Sequence, residues 1–274
     1  TEYCTKCCLK KVCRCVVTHC SLSVFNIIYS CCIVANFDSI TCECTVMKNN
    51  AVSDLMEPGS TFKTASIMVG LEDGKIKKNE TVDCTGGTYP MHGRTMRDHN
   101  WRKGGYGTLT VSEILEQSSN IGVSRLIDRA YHNSPQKYVD GLKELGIGVP
   151  LDLPFVGKGE PIIPQPNSKK RYWSKTDLAW MSIGYVTQLT PIHTLTFYNG
   201  IANNGRMVKP RFVKAEKDNG IIVREFPTEV IREKMCSQHT LDDIHDILEK
   251  VVSKGLGKRA GNGGKLFKVS GKTG

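Results

Sequence analysis

The stretch EPGSTFKTASIMVGLEDGKI (residues 57–76) contains a serine, Ser60, and a lysine three positions later, Lys63. The Pro-Gly pair before the serine punctuates the chain, and the apolar residues after it recur with the period of a helix. These apolar residues are Phe62, Ile67, Met68 and Leu71. An Asp-Gly pair at positions 73–74 then ends the segment. The pattern predicts a helix whose N-terminus holds Ser60, with Lys63 one turn along the same face.

Such a pair of residues can form a nucleophile and its base. A serine hydroxyl is a poor nucleophile until a neighbouring group takes its proton. A lysine can take that proton only if burial or a nearby cation lowers its pKa. The helix N-terminus would stabilise the negative charge that develops during attack. On its own, however, the S-x-x-K tetrapeptide equally describes a serine N-cap followed by a solvated lysine.

Two further motifs follow in the chain. Ser118-Ser119-Asn120 places a hydroxyl and an amide at a break between predicted helices. Lys272-Thr273-Gly274 closes a segment (residues 265–274) whose apolar alternation predicts a strand. Each motif has an ordinary structural explanation, a polar kink for the first and a strand end on the surface for the second. Three motifs in this order are harder to explain as coincidence.

The three motifs resemble the S-x-x-K, S-x-N and K-T-G motifs of the penicillin-binding transpeptidase domain. Two longer stretches are similar to the class B, monofunctional penicillin-binding proteins: NNAVSDLMEPGSTFK (residues 49–63) and SIGYVTQLTPIHTLTFYNGIANNGRMVKPRF (residues 182–212). The resemblance covers residues 47–274. It implies an α+β fold of the penicillin-binding protein and serine β-lactamase type, with an antiparallel sheet flanked by helices. We expect this fold to be truncated at both ends.

The resemblance also implies the catalytic roles. Ser60 would attack the carbonyl of a D-Ala-D-Ala stem peptide or of a β-lactam and form an acyl-enzyme, with its own backbone N–H as one oxyanion donor. Lys63 would take the proton of Ser60, and Ser118 would relay a proton to the leaving group. The family needs no cofactor and no metal for this chemistry, and none is assigned to this chain.

Four residues would bind the substrate. Asn120 would hold the substrate amide and help to orient Lys63. Lys272 would supply positive potential near Ser118 and the substrate carboxylate, and Thr273 would donate a hydrogen bond to that carboxylate. Gly274 would leave space for the backbone of the ligand to approach.

The first 46 residues do not resemble the family. They contain ten of the twelve cysteines of the chain: Cys4, Cys7, Cys8, Cys13, Cys15, Cys20, Cys31, Cys32, Cys42 and Cys44. We expect residues 1–46 to be an anomalous, Cys-rich segment and residues 47–274 to be a partial transpeptidase domain. One hypothesis for the anomalous segment is a reading-frame error upstream of about residue 47. A disulfide or zinc module is the alternative, but the C-x-x-C pair at Cys4 and Cys7 has no second pair at finger-like spacing.

The charge and hydropathy patterns restrict the partners. The formal net charge is +10, but the chain has no arginine-rich helix and no basic run interleaved with aromatics, so we expect no nucleic-acid partner. The most apolar stretch, residues 21–37, is short and polar for a membrane span, so we expect no membrane anchor in this chain. The resemblance implies a parent protein in the inner (cytoplasmic) membrane with its catalytic domain outside the cytoplasm. That parent would belong to a cell-wall synthesis complex. The resemblance favours a role in division, with a role in elongation as the alternative.

Three other functions use the same residues or explain them differently. A serine β-lactamase and a DD-carboxypeptidase share the three motifs, whereas the E-P-G and L-T-P stretches favour a transpeptidase. A non-catalytic β-lactam sensor domain is the third alternative.

Several aromatic and histidine side chains could line a site, but packing explains them better: His92, His99, Trp101, Tyr106 and Trp173.

The remaining elements follow from caps and periodicity. Helices are predicted over residues 110–131, with Ser112 as N-cap and a break at 118–120, and over 134–146. Two more are predicted over residues 190–205 and over 240–252, the latter with an acidic first turn. A hairpin is predicted from the segments RMVKPRFVKAE and GIIVREF.

Overall fold

The computed structural model describes residues 33–38, 43–260 and 267–274. The interpretations of the N-terminal cysteines therefore fall mostly outside the described residues. The two later cysteines, Cys84 and Cys236, are buried as free thiols. Among the described residues, no helix combines the length and the apolar character that a membrane span requires.

The α+β class predicted from the sequence is confirmed. The helices are α1 Asn50–Ser53, α2 Lys63–Glu72, α3 Val111–Glu116, α4 Asn120–Tyr131, α5 Pro135–Glu144, α6 Asp177–Ser182, α7 Pro191–Ala202 and α8 Gln238–Ser253. The strands are β1 Ile33–Asp38, β2 Glu43–Asn49, β3 Thr81–Asp83, β4 Thr88–Met91, β5 Arg94–Arg97, β6 Thr108–Thr110, β7 Met207–Val208, β8 Ala215–Asp218, β9 Ile221–Glu225 and β10 Val230–Arg232.

The strands pair in antiparallel fashion, two at a time. The pairs are β1 with β2, β3 with β6, β4 with β5, β7 with β10 and β8 with β9. The predicted hairpin is therefore correct for β8 and β9 but wrong upstream, because Met207 and Val208 pair with the later strand β10. The strand predicted at the C-terminal motif is also wrong. Residues 267–274 have no strand neighbour within the described part of the chain, and Gly271 N–H donates instead to the carbonyl of Leu248 in α8.

The helices lie close to their predicted positions, with corrections at two N-termini. The cap of α3 is Thr110 rather than Ser112, because the Thr110 hydroxyl accepts from Glu113 N–H while the Glu113 carboxylate accepts from Thr110 N–H. Helix α8 begins after Ser237, whose hydroxyl accepts from Thr240 N–H. The acidic residues of α8 thus lie beyond its first turn.

Helix α2 is the centre of the core. It packs against α4, α5 and α8, and its residues from Lys63 to Gly70 are all buried. Each large apolar side chain buried in this way contributes about 1.5–3 kcal/mol. Because the helix has no solvent face, its polar side chains need partners inside the protein. Thr64 hydroxyl meets Tyr198 hydroxyl at 2.9 Å, and Ser66 hydroxyl donates to Ser182 O at 2.7 Å.

Candidate active site

Ser60 lies in a 3₁₀ turn, Gly59–Phe62, that leads directly into α2. Lys63 N–H donates to the carbonyl of Ser60, which joins the turn to the helix. Gly59 has a left-handed φ of 55°, and its N–H donates to Gly184 O at 3.1 Å. A Cβ at Gly184 would collide with the backbone of Gly59, so only glycine permits this close approach. The backbone around Gly184 therefore fixes the position of the serine.

Lys63 is buried in the core at the first residue of α2, with 0% of its surface exposed. Its ammonium nitrogen donates to the carbonyl of Ser118 at 2.6 Å and lies 3.2 Å from the Ser118 hydroxyl oxygen. Burial, together with the charge of Lys272, lowers the pKa of Lys63 to about 7, while the charge of Asp98 opposes the shift. A lysine with this pKa is substantially neutral near neutral pH and can act as a base.

Ser118 lies between α3 and α4, where the helical segment breaks as predicted. Its backbone is left-handed, with a φ of 52°, which is uncommon outside glycine. Its carbonyl and its hydroxyl both contact the Lys63 ammonium. Lys272 Nζ lies 2.8 Å from the same hydroxyl oxygen. One serine hydroxyl is thus held between two lysines from distant parts of the chain.

The C-terminal motif lies against the turn that carries Ser60. Lys272 Nζ donates to the carbonyl of Thr273 at 2.8 Å and to its hydroxyl at 3.1 Å, so both groups converge on one ammonium. Burial lowers the pKa of Lys272 to about 8. A Cβ added at Gly274 would lie 3.2 Å from the Thr61 side chain. Gly274 therefore lies next to Thr61, the residue that follows Ser60. The structure therefore brings the three sequence motifs together.

Asp98 is a buried residue of this site that sequence reasoning missed, with only 1% of its surface exposed. Its carboxylate accepts from the Ser119 hydroxyl at 2.8 Å, from Asn120 N–H at 2.6 Å and from Ile121 N–H at 3.0 Å. These donors form the first turn of α4, where a negative charge also complements the helix dipole. A lone aspartate in a long irregular segment carries no sequence signal for this role.

Asn120 is oriented by a different contact from the one expected. Its side-chain amide donates to Arg97 O at 2.7 Å. The Lys63 ammonium is instead oriented by the carbonyl of Ser118. The role of Asn120 toward a substrate stays a prediction.

Two of the three aromatic side chains predicted to pack do so, whereas Trp101 is exposed. Tyr106 and Trp173 pack against the main core. The Tyr106 hydroxyl donates to Gln117 O at 3.3 Å, immediately before Ser118, and burial raises its pKa to about 12. The guanidinium groups of Arg97 and Arg102 make cation–π contacts with the Trp101 ring, at 4.8 and 5.0 Å from its centre.

A family model described as the penicillin binding protein transpeptidase domain matches residues 33–274. The match begins upstream of the boundary expected at residue 46, and the division of the chain at that point stays a prediction. The chain is 29% identical over 186 residues to the peptidoglycan D,D-transpeptidase FtsI of Escherichia coli, covering 68% of this chain and 29% of that protein. It is 26% identical over 234 residues to penicillin-binding protein PbpB of Mycolicibacterium smegmatis, covering 83% and 34%. The chain thus spans about a third of the length of these relatives.

Solved structures agree with the sequence relatives. The D,D-transpeptidase domain of a peptidoglycan glycosyltransferase from Eggerthella lenta superposes with a TM-score of 0.72 at 26% identity, covering 84% of this chain and 56% of that one. Penicillin binding protein 3 of Mycobacterium tuberculosis, complexed with aztreonam, superposes with a TM-score of 0.63 at 26% identity, covering 77% and 45%. The chain therefore belongs to the penicillin-binding protein transpeptidase domain family, in its class B branch.

Proposed function

We propose that this chain carries the site of a D,D-transpeptidase that cross-links peptidoglycan stem peptides through an acyl-enzyme on Ser60. The observation that carries the proposal is the partly buried contact of Lys63 and Lys272 with one hydroxyl, that of Ser118. Two ammonium groups on one serine hydroxyl form a path for a proton. That path begins one helical turn from Ser60.

The first step is acylation. Neutral Lys63 accepts the hydroxyl proton of Ser60 while the serine oxygen bonds to the carbonyl carbon of the penultimate D-Ala, or of a β-lactam. The negative charge that forms on the carbonyl oxygen lies near the backbone N–H of Ser60 at the start of the helical segment. Because the pKa of Lys63 is about 7, the base is available near neutral pH without an external activator.

The second step expels the leaving group. The proton on Lys63 passes through the Ser118 hydroxyl to the leaving nitrogen. With a stem peptide this nitrogen departs as the terminal D-Ala, whereas with a β-lactam it stays attached to the acyl group in the opened ring. Lys272 stabilises the hydroxyl oxygen of Ser118 during this transfer, from 2.8 Å. The amine of a second stem peptide then attacks the acyl-enzyme and reverses the proton path. The product is a new peptide bond between two stem peptides, and Ser60 regains its proton.

The substrate carboxylate is expected to bind at the C-terminal motif. A ligand carboxylate would replace the contacts that the Lys272 ammonium and the Thr273 hydroxyl now make with each other. Asn120 would hold the substrate amide, and Gly274 would border the ligand backbone. We propose that the ligands are β-lactams and stem peptides that end in D-Ala-D-Ala.

We also propose that the parent protein lies at the cytoplasmic membrane, with this domain outside the cytoplasm. There it would belong to a cell-wall synthesis complex.

The lifetime of a penicillin adduct tests the proposed function. After incubation of the chain with a penicillin, we expect a covalent adduct that peptide mass spectrometry locates on Ser60 and that persists for many minutes. A transpeptidase lacks a route to rapid hydrolysis of the acyl-enzyme, since its acceptor is an amine. Rapid release of penicilloate would instead indicate a β-lactamase, and an adduct on another residue would contradict the proposal.

Replacing Asp98 by asparagine is expected to weaken both the fold and the acylation step. The asparagine amide has one acceptor oxygen for the three donors that the Asp98 carboxylate now binds, and it lacks the negative charge at the start of α4. We expect this loss to lower the free energy of unfolding by about 1–3 kcal/mol. We expect the melting temperature to fall by several degrees and penicillin acylation to slow about tenfold or more. Asp140→Asn is the matched control, because Asp140 is exposed, its contact with Lys143 is long, at 4.0 Å, and the asparagine oxygen can still accept from Gln136 Nε2, now 2.9 Å away. Equal behaviour of the two variants would contradict a positioning role for Asp98.

A further inference from the structure

A second group of chemically reactive side chains lies at the opposite end of α4 from Asn120. The hairpin of β4 and β5 runs beside this helix and contacts it at both ends. At one end Arg97, the last residue of β5, and Asp98, which follows it, bind the first turn of α4. At the other end the hairpin turn brings His92 to Asp128, near the last turn of the helix.

Three side chains converge at that end: His92, Asp128 and His132. One ligand-type atom of each lies within 4.8 Å of the others. His92 Nε2 is 2.7 Å from Asp128 Oδ1, and His132 Nδ1 is 3.3 Å from the same oxygen. The two imidazole rings are nearly parallel, with an interplanar angle of 12° and centres 5.1 Å apart. Both imidazoles therefore contact the same carboxylate oxygen of Asp128.

The backbone holds His92 in place. Its φ is 50°, and the following Gly93 has a φ of 85°, so the two residues form the left-handed pair of a tight hairpin turn. A histidine in this conformation costs free energy that the surroundings must offset. Asp128 and His132 lie four residues apart on α4 and therefore share one face. The cluster is partly screened from water, with side-chain exposures of 21%, 22% and 54% for His92, Asp128 and His132.

Two imidazoles and a carboxylate form a ligand set that suits Zn²⁺ and related transition metals. With metal–ligand bonds of about 2.0–2.2 Å, tetrahedral geometry separates neighbouring ligand atoms by about 3.4 Å. The distance from Asp128 to His132 already has this value, at 3.3 Å. The distance from Asp128 to His92 is shorter, at 2.7 Å, and the three ligand atoms lie within 4.8 Å of one another, so shifts of up to about 1.5 Å bring them to this spacing.

The surrounding charges leave Asp128 available to a cation. Arg129 pairs with Glu80 at 2.7 Å, and Arg125 pairs with Asp83 at 3.9 Å. These two arginines are therefore largely neutralised by carboxylates of their own. A cavity of about 430 Å³, lined in part by His92 and Asp128, opens beside the cluster. It provides room for the water molecules that complete the coordination of a metal held by three protein ligands.

We propose that His92 Nε2, a carboxylate oxygen of Asp128 and His132 Nδ1 bind a divalent transition-metal ion of the Zn²⁺ type. The metal replaces the proton between His92 and Asp128 and ties the hairpin turn to the end of α4. The opposite end of the same hairpin carries Asp98, which caps the first turn of α4. The metal therefore stabilises the β4–β5 hairpin at a point outside the catalytic site, and the opposite end of this hairpin orients the first turn of α4. No metal ligand was predicted from the sequence, because His92 and Asp128 are 36 residues apart.

Titration of the full chain with Co²⁺ and with Zn²⁺, followed by calorimetry and by thermal unfolding, tests the site. Cysteine thiolates are themselves ligands for such metals, and residues 1–44 contain ten cysteines, so accessible thiols are first alkylated in every sample. The test variants are His92→Asn and His132→Ala. Asparagine tolerates the left-handed backbone of the turn, so the first variant is expected to fold like the wild type. His239→Ala is the matched control, because His239 also precedes an aspartate, Asp243, by four residues. Its Nε2 lies 3.8 Å from Asp243 Oδ2, and among the described residues no third ligand joins this pair.

We expect the wild type and His239→Ala to bind one more metal ion per chain than His92→Asn, and to gain several degrees of melting temperature in metal that His92→Asn does not gain. His132→Ala is expected to lower the affinity at least about tenfold. Metal-free samples of the wild type and His92→Asn should melt at the same temperature within about one degree. Equal metal stoichiometry and equal metal-dependent melting in the wild type and His92→Asn would overturn the proposal. So would a loss of binding in His239→Ala as large as in His92→Asn.

Discussion

A Ser60→Ala variant is expected to form no covalent adduct with a fluorescent penicillin under conditions that label the wild type fully. A nucleophilic serine contributes on the order of 10⁶-fold to the rate of acyl transfer, and no neighbouring group can replace its oxygen. The Ser118 hydroxyl is not a substitute, because it is held by two ammonium groups. Labelling is measured by gel fluorescence over time and by intact mass.

The same variant is expected to keep its fold. The contact that joins the turn to α2 uses the carbonyl of Ser60, which alanine retains. The melting temperature should therefore stay within about one degree of the wild type, which separates a lost nucleophile from a lost fold. Ser134→Ala is the matched control, because Ser134 precedes α5 without a side-chain capping hydrogen bond. Undiminished labelling of Ser60→Ala, or equal loss in Ser134→Ala, would remove Ser60 from the mechanism.

Local sequence patterns predicted the helices well because their information lies within a few residues. The apolar period after Ser60 defines α2, and the Asp-Gly pair ends it at Glu72. The Thr-Pro pair at residues 190–191 places the start of α7, as predicted. The strands were predicted less well, since a strand exists only with a neighbour. Val208 pairs with Val230, and the β8–β9 hairpin lies between these two residues in the sequence. No local sequence pattern predicts this pairing.

The candidate site was predicted as a set of motifs, but its electrostatics could not be. The low pKa of Lys63 requires complete burial and the approach of Lys272 from the far end of the chain. Neither condition appears in a tetrapeptide. Asp98 was missed for the same reason, because its three donors are 21 to 23 residues away. The His92 cluster likewise depends on a hairpin that lies beside a helix.

A Lys63→Met variant is expected to slow acylation by about 10²–10⁴-fold while the chain stays folded. Methionine has a similar length and is suited to a buried position, so the packing of α2 is largely kept. The variant removes the base that accepts the proton of Ser60. Second-order rate constants for acylation by a penicillin measure the effect. A decrease smaller than about tenfold would show that another group is the base.

The pH dependence distinguishes a lost base from a general disturbance. In the wild type, acylation should increase as the pH rises through about 7, where Lys63 becomes neutral. It should decrease again above about 8, where Lys272 loses the charge that attracts the substrate carboxylate. The residual rate of Lys63→Met should lack the limb near 7 and keep the limb near 8. Loss of both limbs would instead indicate that the variant has disrupted the C-terminal motif.

Stability provides an independent check with a defined sign. The pKa of Lys63 is about 7 in the folded chain and about 10.5 in the unfolded chain, so burial of its charge destabilises the fold at low pH. This penalty is complete below pH 7, shrinks as the pH rises from 7 to 10.5, and vanishes above that range. The wild type should therefore gain free energy of unfolding relative to Lys63→Met between pH 7 and 10, as measured by denaturant titration. A difference that does not change with pH would mean that Lys63 titrates alike in the folded and unfolded chains, and such a lysine would be charged at neutral pH and could not take the proton of Ser60.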